Sequence, residues 1–248
     1  MNTNRRSNFL SVLDFNQAFG IFDPENFTTN ISQDLNKIFE NTDLVNLRFS
    51  LIQEEVNELY DAYNDNNLIE ILDALTDILY VVYGAGVSFG IDLDKSYKQH
   101  LKNKIVLCGN STNSDTFINR SADFTLSNFE TTSDLNGNPK EYWKHTSEIY
   151  KYLHSHVKFR ILNIMYTTSN LKIDMQVKDF SSMINNLNHL IYLTYSLGSV
   201  LHMNLNDSFD IVHHSNMTKL CKTEEEAKET VEHYKANDTR YDSPNYRK

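Results

Sequence analysis

Residues 54–80 read EEVNELYDAYNDNNLIEILDALTDILY, and the fold of the chain follows from how charge and apolarity alternate along them and their flanks. Leu47, Leu51, Ile52, Val56 and Leu59 recur at helical spacing with charges between them. That pattern predicts an amphipathic helix over Leu44 to Tyr63. Asn64-Asp65-Asn66-Asn67 is a turn and supplies the cap of the next helix. The next helix, Leu68 to Phe89, is apolar nearly all round, which predicts burial. Gly90 ends it, and Asp92 or Asp94 can cap a further helix running through Lys104.

Six acids stand out on the first two helices. From Phe49 to Asp94 there is no Lys, Arg or His. Glu55 and Glu58 share a helix face at i,i+3, as do Glu54 and Glu58 at i,i+4. Glu70, Asp73 and Asp77 form one stripe at i, i+3 and i+7, among Ile69, Ile71, Leu72, Ala74, Leu75, Ile78 and Leu79. The stripe is therefore expected to face an interior cleft. Ionised carboxylates there cost several kcal/mol each unless compensated, and the segment offers no cation of its own. A hard divalent ion, which prefers oxygen ligands, is the economical answer. For Glu54, Glu55 and Glu58 alone, a solvated helix face is the competing reading. A di-iron bundle would supply Glu-x-x-His, and none of the nine histidines has a glutamate three residues before it.

Outward from this core, the 248 residues include only 7 Gly and 3 Pro. Sandwiches and barrels need many turn residues, so the chain is expected to be all-α. The formal charge of −10 excludes a non-specific nucleic-acid binder, which needs a basic surface. Cys108 and Cys221 form no C-x-x-C pair, and the polar N-terminus leads into no long apolar run. Free thiols, no membrane span and a cytoplasmic location are the expectations.

The second half repeats the first at a fixed offset of 112: Asp73 to Tyr80 lies against Asn185 to Tyr192, Gly86 against Gly198, Leu93 against Leu205 and Tyr97 against Phe209. Residues 1–106 are read as one helical unit carrying the acids. Residues 107–139, rich in Ser, Thr and Asn, are read as a linker or insertion. Residues 140–248 are read as a second unit in which Glu70, Asp73 and Asp77 are matched by Ser182, Asn185 and His189. Such halves would pack as a dimer fused into one chain.

Glu55-x-x-Glu58, eleven residues, then Glu70-x-x-Asp73 resembles the metal-binding signature of the all-α NTP pyrophosphatases. These comprise the MazG-like proteins, phosphoribosyl-ATP pyrophosphohydrolases and dimeric dUTPases. Asp73 to Gly84 is similar to the MazG-like dUTPase branch in particular, as are Asp14-Phe15-Asn16-Gln17-Ala18-Phe19-Gly20, Val212 to Lys219 and Thr223 to Ala227. In single-unit members the Ser-Asn-Met segment follows the second acidic helix closely. Here it appears only in the second unit, at Ser215-Asn216-Met217. One composite site per chain is the expectation, with metal ligands from the first half and nucleotide contacts from the second.

The resemblance implies a MazG-like bundle that hydrolyses a nucleoside triphosphate such as dUTP to the monophosphate and pyrophosphate, with Mg²⁺ or alternatively Mn²⁺. It implies Glu55, Glu58, Glu70 and Asp73 as metal ligands, with Asp77 completing or supporting the set. Glu54, beside Glu55, is the candidate base or a second-metal ligand. Lys219 is the candidate phosphate contact, and Asn216 a contact to base or phosphate. Phe15, Phe19 and Tyr80 are candidate walls of a base pocket, with Gln17 nearby and core packing as their alternative. His213 is a candidate substrate contact, with packing as its alternative. A homodimer is compatible with this reading. The competing class is a catalytically degenerate helical scaffold that binds a partner.

Overall fold

The computed structural model describes residues 5–21, 35–107 and 147–221, together with Thr223, Glu225, Glu226, Lys228 and Glu229. Among the described residues there are seven α-helices and no strand. They are α1 (Asn8–Ala18), α2 (Thr42–Asn64), α3 (Leu68–Ser88), α4 (Leu93–Leu107), α5 (Ser147–Val177), α6 (Phe180–Val200) and α7 (Leu205–Met217). A short 3₁₀ turn, Leu35–Glu40, precedes α2. The all-α expectation holds. Most of the 107–139 segment, including Cys108, lies outside the described residues.

Side-chain caps set the helix starts, because the first backbone N–H groups of a helix have no partner within it. Asn41 Oδ1 accepts from Leu44 N at 3.1 Å, and Asn67 Oδ1 from Ile69 N at 3.2 Å. Asp92 Oδ1 accepts from Lys95 N at 2.9 Å, so Asp92 caps α4. Asp179 and Asn204 do the same for α6 and α7.

Helix α3 lies at the centre and packs on α1, α2, α6 and α7. Ile52, Val56 and Leu59 of α2 close on Leu75, Ile78 and Leu79 of α3, and all six are fully buried. Leu187, Leu190 and Ile191 continue that core into α6. Burial of a large aliphatic side chain contributes roughly 1.5–3 kcal/mol, so this seam holds the two halves of the chain together.

The halves share more than composition. Helix α3 spans Leu68–Ser88 and α6 spans Phe180–Val200, an offset of 112 at both ends. Left-handed residues bracket both helices, Asn66 (φ 52°) and Gly90 (φ 67°) around α3, Lys178 (φ 60°) and His202 (φ 55°) around α6. A Cβ on Gly86 would stand 2.5 Å from Leu93 Cδ1, and one on Gly198 would stand 2.7 Å from Leu205 Cδ1. The helix that follows the middle helix of each half packs on the middle helix of the other, α4 on α6 and α7 on α3. That exchange carries residues of the second half to the acidic helices of the first.

Among the described residues no single helix is long and apolar enough to cross a membrane.

Candidate active site

The Asn64–Asn67 turn folds α3 back along α2, which brings Glu54, Glu55 and Glu58 opposite Glu70, Asp73 and Asp77. Their mutual influence shows in the protonation of Glu55, whose carboxyl is pushed up to about 8. Burial is the largest cause, followed by the charges of Asp77, Glu58, Glu54 and Asp73. Glu58, though exposed, is also raised, first by partial loss of hydration beside α3 and then by Glu54, Asp73, Glu70 and Asp61. A half-buried carboxyl at about 8 is mostly protonated at neutral pH. The protein thus neutralises one member of the cluster where no basic residue is present to do so.

The cluster does not face an interior cleft. Glu54, Glu58, Glu70 and Asp73 are exposed, and Glu55 and Asp77 are half-buried. The apolar stripe of α3 is wide, through Ile71, Ala74, Leu75, Ile78 and Leu79, but it does not close around the helix. Ile69 itself is 59% exposed. The strip carrying the acids opens to solvent, where screening weakens the repulsion among the acids that stay ionised around Glu55. Among the described residues no three His, Cys, Asp or Glu side chains stand close enough to hold an ion as they are placed. The donor chemistry nevertheless fits a hard divalent cation: every ligand is an oxygen, and the negative charge has no basic partner within the segment.

One turn beyond Asp77, Tyr80 is buried in the core and forms the centre of an aromatic cluster. Phe15 meets its edge with ring centroids 5.8 Å apart, and Phe19 stacks on Phe15 at 4.3 Å. Phe209 and His213 of α7 stack on its other side at 5.3 and 6.2 Å. The Tyr80 hydroxyl stands 3.2 Å from His213 Nδ1 and hydrogen-bonds the Asn216 side chain. Burial raises the Tyr80 phenol and lowers the His213 imidazole, so both are neutral near pH 7 and present polar edges without charge. Lys219 Nζ donates to Asn216 Oδ1 at 2.8 Å from an exposed position. Gln17 is exposed on α1, and its amide joins none of these groups.

Sequence reasoning missed Arg48. Its guanidinium lies between α1, α2 and α3, with Nη2 donating to Asn16 Oδ1 at 3.4 Å. It stands just before the basic-free stretch that begins at Phe49, and the available signal was its position seven residues before Glu55, on the same helix face.

A family model described as PRA-PH, phosphoribosyl-ATP pyrophosphohydrolase, matches residues 25–103. The chain belongs to the MazG-like all-α NTP pyrophosphatase superfamily. The matched segment contains all six clustered acids and Tyr80, while His213, Asn216 and Lys219 lie beyond it. The chain is also similar to the uncharacterized protein L479 of Acanthamoeba polyphaga mimivirus, 36% identical over 237 residues, covering 94% of this chain and 79% of that protein. No solved structure matches it. The family match supports nucleotide pyrophosphohydrolysis in general as the activity of this MazG-like protein.

Proposed function

We propose that this MazG-like protein is a divalent-metal-dependent pyrophosphohydrolase of nucleoside triphosphates, with dUTP the leading substrate. The observation that carries the proposal is the meeting of α7 with α3. It sets His213 and Asn216 from the second half against Tyr80, one turn from Asp77. Carboxylates suited to an ion and groups suited to a nucleoside then adjoin at one place, a composite site in which each half supplies a different part. The shared offset of 112 and the exchanged helices α4 and α7 support reading the halves as tandem copies, the second having lost its acids.

Glu55, Glu58, Glu70 and Asp73 would hold Mg²⁺, or Mn²⁺ in its place, and Asp77 would support or complete the set. When bound, the ion supplies charge neutralisation of the phosphates and a more acidic water. Glu54, exposed beside Glu55, accepts the proton of the attacking water as the α–β phosphoanhydride bond breaks. The products are the monophosphate and pyrophosphate. Tyr80, Phe15 and Phe19 hold the base by stacking. Asn216 and His213 orient the nucleoside, and Gln17 extends the same rim from α1. Lys219 reaches from the exposed end of α7 toward the phosphates. Free nucleotide is the partner in this reading, and polymeric nucleic acid and membranes are not. Action in the cytoplasm accords with nucleotides as substrates.

A homodimer joined through α5 belongs to the same proposal. Phe159, Leu162, Tyr166, Ile173 and Val177 lie exposed along that helix, and exposed apolar stripes mark interaction surfaces. Light scattering of the wild type and of Tyr166→Glu tests it, and a wild-type monomer overturns it.

The functional test is pyrophosphate release from a panel of deoxy- and ribonucleoside triphosphates, with Mg²⁺ and with EDTA, by wild type, Glu55→Ala and Asp73→Ala. Metal-dependent release that each substitution lowers more than about 100-fold is expected. No release from any triphosphate would leave a degenerate binding scaffold as the better reading.

A further inference from the structure

We infer that Arg48 reads the base of the bound nucleotide, its guanidinium donating to a keto oxygen at the end of the site remote from the carboxylates. The inference deepens the nucleotide reading above and rests on it.

Arg48 is a cation without an adequate partner. Its Nε is buried and makes no hydrogen bond. Among the described residues its one hydrogen bond is the long contact from Nη2 to Asn16 Oδ1, and no carboxylate pairs with it. A guanidinium is donor-only and stays charged, so buried donors without acceptors carry a desolvation cost. Burial does lower its proton affinity, but no ordinary pH removes the proton. A bound acceptor would relieve that cost.

Position says which acceptor. Arg48 precedes Glu55 by seven residues, two helical turns or about 10 Å along the same face of α2. Across from it on α3 is Gly84, seven residues beyond Asp77 and four beyond Tyr80. A Cβ at Gly84 would stand 3.3 Å from Arg48 Nη1, so the glycine makes room for the guanidinium. Along the α2–α3 pair the order is therefore carboxylates, then Tyr80 with Phe15, then Arg48. Phosphates held at the carboxylates and a base stacked on the rings leave the outer edge of the base facing Arg48. Uracil, thymine, cytosine and guanine carry a keto oxygen; adenine carries none. A site built around a hydrogen bond rejects an analogue that lacks the partner.

The test compares kcat and KM for dUTP and dATP, with Tm, for wild type, Arg48→Met and Arg48→Lys. Wild type is expected to prefer dUTP. Arg48→Met should lower kcat/KM for dUTP about tenfold or more, mainly through KM, and change dATP less than about twofold. Arg48→Lys should retain part of the preference. Should Arg48→Met fail to fold, Gly84→Ala crowds Nη1 while keeping the charge, and the same selective loss is expected. Equal losses on both nucleotides, or an unchanged preference, would overturn the assignment while leaving the pyrophosphohydrolase intact. A wild type inert toward every triphosphate would overturn both.

Discussion

The Tyr80 hydroxyl stands 3.2 Å from His213 Nδ1, so a residue of α3 and one of α7 share a hydrogen bond across 133 positions of sequence. The same hydroxyl bonds the Asn216 side chain. Tyr80→Phe keeps the stacking on Phe15 and Phe209 but removes the bond to both partners. One net hydrogen bond is worth about 0.5–1.5 kcal/mol. We expect KM for the preferred triphosphate to rise about threefold to tenfold, with kcat changing less. Asn216→Ala should give a loss of the same order, although Asn216 belongs to the half that lacks the clustered acids. Steady-state kinetics on both variants checks this, and an active Asn216→Ala with unchanged KM would remove the second half from the site.

His213 adds a pH dependence. Burial lowers its imidazole below the ordinary value of 6.5, against the opposing charges of Asp14 and Asp210. The unfolded chain then takes up the proton first as pH falls. Stability from this group is complete above about pH 6.5 and declines as pH drops through the lower folded value. Tm measured from pH 7.5 to 5 should fall less for His213→Gln than for wild type over that window. Parallel curves would mean that His213 does not titrate with folding.

The helices around the acids were legible because their signals are local. Asn67 and Asp92 cap as expected, and Gly90 adopts the left-handed conformation that ends α3. The offset of 112 was legible because Gly86 and Gly198 each sit where a leucine presses on the helix. The exposure of Glu70 and Asp73 was not legible. An apolar helix reads as buried all round, and only its neighbours decide which strip stays open. Arg48 escaped notice because its meaning comes from α1 and α3, which meet it through Asn16 and Gly84.

Glu55 should make stability depend on pH and metal together. Its folded carboxyl is raised to about 8 from an ordinary 4.5. A raised acid holds its proton more tightly when folded. Its stabilising effect is therefore complete below about pH 4.5 and is lost as pH rises to about 8. In EDTA, wild-type Tm should fall between pH 5 and 8 relative to Glu55→Gln, which has no proton to lose. Addition of Mg²⁺ should raise wild-type Tm more at pH 8 than at pH 6, because a cation favours the ionised cluster and stabilises whatever state binds it. A Mg²⁺ effect equal at both values, or present in Glu55→Gln at full size, would separate Glu55 from the metal.

Gly86 and Gly198 offer a test of whether the two halves are built on one plan. Each sits in the last two turns of a central helix, and each carbonyl accepts from a backbone N–H five residues on, Ile91 and Met203, both at 2.8 Å. A methyl at Gly86 would meet Leu93 Cδ1 at 2.5 Å, Leu93 Cγ at 2.6 Å and the Ile91 carbonyl at 3.1 Å. A methyl at Gly198 would meet Leu205 Cδ1 and Cγ, each at 2.7 Å. Both leucines are buried and cannot swing away into solvent. Overpacking of this kind typically costs about 1–3 kcal/mol. Gly86→Ala and Gly198→Ala should therefore destabilise the protein to a similar extent, and the double variant should lose close to their sum because the two contacts share no residue. Denaturant titration measures all three. Gly84→Ala is the internal control, since its nearest neighbour is the guanidinium end of Arg48 at 3.3 Å and a flexible side chain can give way. Its loss of stability should be the smallest of the set. A Gly198→Ala variant as stable as wild type would show that the second half does not rely on the packing that holds the first.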